Sequence, residues 1–214
     1  MKPFCENKNR SIALRAQRCI LNIAFVAAAT IASGFHFQAT GKGQSASPTS
    51  EPHNNISEMT SYTEQGRYDE AVQLGLAILR NDPSDEFVYQ QIADVYLIRA
   101  QKDRERREQW VTNAVSYVEK SLSLNSKDKD VAGVHLFMDA LSFESAGDLS
   151  VEKRCIYYDR ARRLLEDRVS LLKVDQITLA GRTFPVEPLR KENDKVLVRV
   201  KDKAMRAPCK STDQ

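Results

Sequence analysis

Between Tyr62 and Pro83 the chain reads YTEQGRYDEAVQLGLAILRNDP, and its apolar positions recur at helical spacing: Ala71, Val72, Leu74, Ile78 and Leu79 form one stripe. Breakers frame that stripe. Gly66 can take the positive φ that ends a preceding helix. Asp69 and Glu70 place negative charge where a new helix exposes unpaired N–H groups. Pro83 lacks an N–H and clashes with the turn before it, so the helix stops short of it. The segment therefore predicts the end of one helix, a tight turn and a second helix with one apolar face. A weaker helix precedes it, with Ile56, Met59 and Tyr62 as its apolar positions and Ser57 as its candidate cap.

The same pattern returns twice. A second pair opens at Ser84 with Asp85 and Glu86 in its first turn, followed by Tyr89, Ile92, Ala93 and Tyr96. Its partner helix carries Ala114, Val118, Ser121, Leu122 and Leu124 on one face. Between the two lies RAQKDRERREQW, dense in alternating charge and free of Gly and Pro, which predicts helices that project further rather than a loop. An anionic docking knob is the functional alternative for this stretch. A third pair runs from about Val131 to Leu172. Leu136, Ala140 and Phe143 form its first face, Ala146-Gly147-Asp148 is its expected turn, and Tyr158, Ala161, Leu164 and Leu165 form its second face.

After Lys173 the period changes. QITLAGRTFPV alternates around Ala180-Gly181 and predicts a small β-hairpin. Pro188 then suits a helix start. Leu189, Val196, Leu197, Val200 and Ala204 fall on one helical stripe, with VLVRV as a competing strand. The outer face of this segment is basic (Arg190, Lys191, Lys195, Arg199, Lys201, Lys203, Arg206), which is usual for a solvated face and is also the composition of a membrane-surface or acidic-partner contact.

The turn chemistry and the large, small, aromatic spacing in these units resemble the tetratricopeptide repeat family over roughly residues 55–170. The resemblance is closest in the first and third units and looser around the charged insertion. It implies an all-α fold, a right-handed solenoid of helical hairpins with about three units, here followed by a small C-terminal β-hairpin and a capping helix. It also implies a concave groove lined by the first helices of successive units. By position within each unit, that groove would be formed by Phe87, Gln90, Asp94, Leu97, Ile98, Phe137, Leu141 and Glu144. The Lys and Asn residues with which some family members clamp a C-terminal carboxylate are missing, since Ile56 and Thr60 occupy those places. The opposing reading is that the chain's own C-terminal hairpin and helix cover these side chains.

Composition changes the picture mainly at the N-terminus. The 214 residues are 42% apolar and 29% charged, ordinary for a helical globular chain. The net charge of +3 resides in the leader: residues 1–34 hold Lys2, Lys8, Arg10, Arg15 and Arg18 against Glu6, leaving the rest at about −1. The basic balance is thus no argument for nucleic acid. Residues 1–18 read as a basic n-region. Residues 19–37 (CILNIAFVAAATIASGFHF) read as either a signal peptide or a membrane anchor. Both place the remainder of the chain outside the cytoplasm, in the periplasm of a bacterial-type cell, secreted or membrane-anchored. Residues 38–54 read as a flexible linker, 55–173 as the repeat domain, 174–206 as hairpin and C-terminal helix, and 207–214 as a disordered tail.

Chemistry is sparse. Of the three histidines, His36 lies in the leader and His53 in the linker, while His135 sits beside core positions, where packing is the usual role. No cluster has metal-ligand spacing, and no Gly-rich phosphate loop or nucleophile elbow occurs. The cysteines are Cys5, Cys19, Cys155 and Cys209; with the leader removed, Cys155 and Cys209 are the pair available to bridge, against the simpler reading of Cys155 as a small buried residue. The sequence therefore predicts a non-catalytic interaction adaptor without cofactor or metal. It would hold a protein or peptide partner in the groove and touch the membrane through residues 19–37 if these are not cleaved. The alternative is a structural subunit of a bacterial envelope assembly.

Overall fold

The computed structural model describes residues 52–124, 128–179 and 181–208. The leader, most of the predicted linker, Cys209 and the last residues of the tail lie outside them. Of the described residues 79% are helical, in seven helices with one two-stranded antiparallel hairpin near the C-terminus. The helices are α1 (Pro52–Glu64), α2 (Tyr68–Asn81), α3 (Glu86–Lys102), α4 (Arg107–Leu124), α5 (Lys129–Leu149) and α6 (Arg154–Leu171). Strands β1 (Gln176–Leu179) and β2 (Arg182–Pro185) follow, and then α7 (Glu187–Arg206). Packing is closest within the consecutive pairs α3/α4 and α5/α6, while α2, α4 and α6 also touch the helix that follows each of them, and α3 touches α5.

Local chemistry sets most of these boundaries. Gly66 has φ +79° between α1 and α2, with open space where a Cβ would stand. Asp85 caps α3, its carboxylate accepting from Val88 N at 3.1 Å. Asp128 caps α5 in the same way, through the N–H groups of Asp130 and Val131. The charged insertion proves to be mostly helix: α3 runs to Lys102 and α4 begins at Arg107. The turn between them closes on Asp103, which accepts from Arg106 N at 3.2 Å and Trp110 Nε1 at 3.0 Å. Arg99 lies 3.8 Å from the Trp110 ring and pairs with Asp69 of α2 at 2.6 Å, so part of the charge serves internal contacts.

Three expectations need correction. The first helix begins at Pro52, which takes up the end of the segment read as linker and puts Ser57 inside the helix rather than at its cap. Ala146-Gly147-Asp148 is not a turn; α5 continues to Leu149, and Gly147 lies buried within it. VLVRV is helix, not strand.

The core follows the predicted stripes. Ala71, Ile92, Ala93, Ala114, Ala140, Phe143, Ala161 and Leu165 have no exposed surface. The alanines among them leave room for the facing helices to pack closely. Ala71→Leu or Ala140→Leu is accordingly expected to lower stability by about 1–3 kcal/mol through overpacking, as read by denaturant unfolding. Unchanged midpoints would show that these crossings have slack.

The hairpin is set by Gly181 (φ +74°) and by register pairs Ile177–Phe184 and Thr178–Thr183. It is tied to α5, because Thr178 N donates to Asp130 Oδ2 at 2.6 Å. Helix α7 then packs on α6 with Val196 and Val200 fully buried and Leu189, Leu197 and Ala204 half-buried.

Candidate functional site

The eight predicted groove residues occupy two neighbouring helices, five on α3 and three on α5, but they do not form one open surface. Gln90, Leu97, Phe137 and Glu144 are buried, whereas Phe87, Asp94, Ile98 and Leu141 are half-buried. Two of the buried ones are claimed by the chain's own C-terminal half. The guanidinium of Arg168 stands 4.3 Å over the Phe137 ring. It donates to Gly133 O at 2.6 Å and to Asn193 Oδ1 of α7 at 3.2 Å. Glu144 accepts both Arg199 Nε and Arg199 Nη2 at 2.7 Å, and Lys203 Nζ lies 2.8 Å away. The C-terminal helix thus covers the groove position Glu144, whereas Phe137 is covered by Arg168 of α6, which α7 holds through Asn193. The accessible remainder is Phe87, Asp94, Ile98 and Leu141.

Beneath that remainder lies a polar cluster that the periodicity of the sequence does not announce. Gln90 of α3 crosses to α5, donating from Nε2 to Asp139 Oδ1 at 3.0 Å and to His135 O at 3.3 Å. Its Oε1 stands 3.1 Å from His135 Nδ1. An amide oxygen only accepts, so His135 carries its proton on Nδ1 and donates to Gln90. The other ring nitrogen faces Glu86 Oε2 at 3.5 Å. Ser121 Oγ of α4 approaches Asp139 Oδ2 at 3.5 Å. Gln90 and Asp139 are each only 1% exposed. Helices α3, α4 and α5 therefore meet in one hydrogen-bonded network. The available signal was a run of polar residues at core spacing: Ser121 among the buried positions of α4, and Asp139 directly before Ala140.

Burial dominates the electrostatics here. It pushes the Asp139 carboxyl up to about 7, against the donations from Gln90 and Ser121. Asp94 is also pushed up to about 7 by its surroundings, with a hydrogen bond from Ser142 opposing. Asp94 keeps some solvent contact, whereas Asp139 is buried. Burial lowers the His135 pKa, and the carboxylates of Glu86 and Asp85 only partly offset it. Among the described residues no group of three or more His, Cys, Asp and Glu side chains is placed to hold a metal ion.

The basic face of α7 is largely satisfied within the protein. Lys191 pairs with Glu187, Lys195 with Glu192, Lys201 with Glu166, Lys203 with Glu144 and Asp148, and Arg206 with Asp202. Arg190 donates to the carbonyls of Leu172 and Val174, both at 2.7 Å. Such pairing leaves little excess field for a membrane surface or an acidic partner. Cys155, in the first turn of α6, is disulfide-bonded, and Cys209 lies outside the described residues. No described helix is long and apolar enough to cross a membrane; residues 19–37 lie outside the described residues. No family model matches the chain, and no curated protein sequence matches it.

Proposed function

We propose that the chain is a non-catalytic helical-repeat adaptor of the tetratricopeptide type, its hairpins stacked as a right-handed solenoid that α7 caps. A protein or peptide partner docks on the face shared by α3 and α5, with no part for nucleic acid or a cofactor. The leader, as signal peptide or anchor, puts this domain outside the cytoplasm, exported or membrane-anchored. One observation carries the reading: Phe87, Asp94, Ile98 and Leu141 stay half-exposed on adjacent helices that the Gln90 bridge to His135 and Asp139 fixes from below. A surface held in shape beforehand has little ordering entropy to lose on association, and aromatic and aliphatic anchors around one polar group suit a peptide side chain.

The test is in-cell photo-crosslinking from positions 87 and 141, paired with Phe87→Ser and Leu141→Ser. The expected result is a discrete crosslinked partner whose affinity falls at least about tenfold (1.4 kcal/mol) in the double variant, with the melting temperature shifted by only a few degrees. Phe137 is unsuitable for this purpose, because its buried ring supports Arg168. A second reading, a structural subunit of an envelope assembly, draws on the exposed Val198 (67%) and Met205 (78%) of α7. Crosslinks from 198 and 205 with none from 87 and 141 would replace the adaptor reading with that one.

A further inference from the structure

Asp139 lies in the interior between the second and third helix pairs with only neutral donors at hand. Gln90 Nε2 reaches one oxygen at 3.0 Å and Ser121 Oγ stands off the other at 3.5 Å. The charged or titratable groups that face it do not supply a counter-ion. Glu86 and Asp94 of α3 are acids, and their fields disfavour a second negative charge. His135 of α5 turns its Nδ1 to Gln90 and its Nε2 to Glu86. The buried cation of α6, Arg168, is committed to Gly133 O and Asn193. No ion pair among the described residues includes Asp139. An ionised carboxylate here would be a buried charge with two neutral hydrogen bonds, a costly arrangement, whereas the protonated acid fits the same contacts and offers a donor to Ser121.

We propose that Asp139, gripped across the interface by Gln90, is a proton-operated latch between the second and third helix pairs, closed while its carboxyl is protonated and loosened when it ionises. The inference does not depend on what docks above it. Burial pushes this carboxyl up to about 7. In an opened chain it returns to its ordinary value near 3.8, so between about pH 4 and 7 the closed state binds one more proton than the open one. Each pH unit in that window favours opening about tenfold, and the effect levels off above about 7. His135 acts in the opposite sense. Its lowered pKa makes the closed state resist protonation, so its contribution grows as pH rises through the imidazole range. The half-exposed face over this cluster would then be firm in a mildly acidic medium and looser in a neutral one.

Two measurements on the full chain decide it: the carbon-13 carboxyl shift of Asp139 against pH, and native-state hydrogen exchange of α5 amides, corrected for intrinsic rates, from pH 4.5 to 8. The expected results are an Asp139 midpoint near 7 and an α5 opening constant that climbs by up to about tenfold per pH unit for each of the two buried acids, Asp139 and Asp94, then flattens. In Asp139→Asn, whose amide keeps both contacts, the climb weakens by one proton; the remainder belongs to Asp94, and Asp94→Asn removes it. An Asp139 that titrates with the exposed carboxylates near 4, or an Asp139→Asn variant that keeps the parent's slope, overturns the proposal. If Asp139→Asn fails to fold, the carboxyl titration in the parent decides alone.

Discussion

Gly147→Ala will destabilise the protein by about 1–2 kcal/mol, although the same change in an exposed helix stabilises by up to about 1 kcal/mol. A Cβ at this position would stand 2.5 Å from Tyr158 Cε1, 2.6 Å from Cδ1 and 3.2 Å from Cζ. These are ring atoms and cannot fold away as the end of a flexible side chain would. The ring is 4% exposed, and its hydroxyl donates to Asp148 Oδ1 at 2.8 Å, which fixes it at both ends. The helices α5 and α6 must therefore separate, and overpacking of this kind costs about 1–3 kcal/mol before the helix-propensity gain is subtracted. Denaturant unfolding of Gly147→Ala against Gly147→Ala/Tyr158→Leu checks it. The shorter side chain should return part of the loss in a double-mutant cycle, whereas additive effects would mean that the two residues do not share the crossing. Gly75 makes a milder control: its Cβ would meet Ile92 Cγ1 at 2.6 Å, but its other close neighbours, Ile92 Cδ1 and Met59 Cε, are side-chain ends that can move.

Gly147 also marks where the sequence misleads. Gln65-Gly66-Arg67 and Ala146-Gly147-Asp148 offer the same local cue, a glycine after a helical stripe. Only the first is a turn. At Gly66 nothing lies within 4 Å of the missing Cβ and φ is +79°, so the glycine serves the backbone; at Gly147 the helix continues and the glycine serves a neighbour's ring. Which use applies depends on a residue further along the chain, beyond the reach of a window of local propensity. The C-terminal segment was more legible. In VLVRV, a strand would set Val196, Val198 and Val200 on one face, but Val196 and Val200 are buried while Val198 is 67% exposed. A four-residue spacing fits a helix, as the longer stripe from Leu189 to Ala204 indicates.

The polar network was the least legible part, for a related reason. Gln90 and Asp139 stand 49 residues apart, and each alone is an ordinary polar residue on a helix. Taken singly, Gln90 reads as a groove residue and His135 as a packed one. What makes them a unit is the contact between α3 and α5, which the repeat pattern implies without specifying its side-chain pairs. The same holds for Glu144, whose position in its unit suggests a groove acid. Two cations of α7, Arg199 standing 55 residues further on and Lys203 one turn beyond it, make it a structural anchor instead.

Glu144→Ala is expected to detach the C-terminal half of α7 while leaving its start in place. The carboxylate side chain is 4% exposed and receives three contacts of 2.7–2.8 Å from Arg199 and Lys203. Removing one side of a fully buried pair costs about 3–5 kcal/mol because a charge is left stranded. Here Arg199 and Lys203 keep 28% and 23% of their side-chain surface, and Lys203 retains Asp148 at 2.6 Å, so the loss is nearer about 2–3 kcal/mol. The first turns of α7 hold on through Arg190 to the Leu172 and Val174 carbonyls and through Asn193 to Leu165 O at 3.2 Å. Tryptic cleavage should therefore accelerate at Arg199, Lys201 and Lys203 and not at Arg190 or Lys191; uniform acceleration would mean that α7 releases as a whole. The same contacts set the sign of the pH effect. Burial raises the Glu144 pKa, but the donations from Arg199 and Lys203 outweigh it and leave the carboxyl below its ordinary value. Its stabilisation is thus complete above the ordinary carboxylate range and is lost as pH falls through the lowered value, opposite in direction to the effect of Asp139. In the parent the end of α7 loosens in acid, while the α3–α5 contact loosens toward neutrality. Glu144→Gln abolishes the first without touching the second, and site-resolved exchange at two pH values separates them.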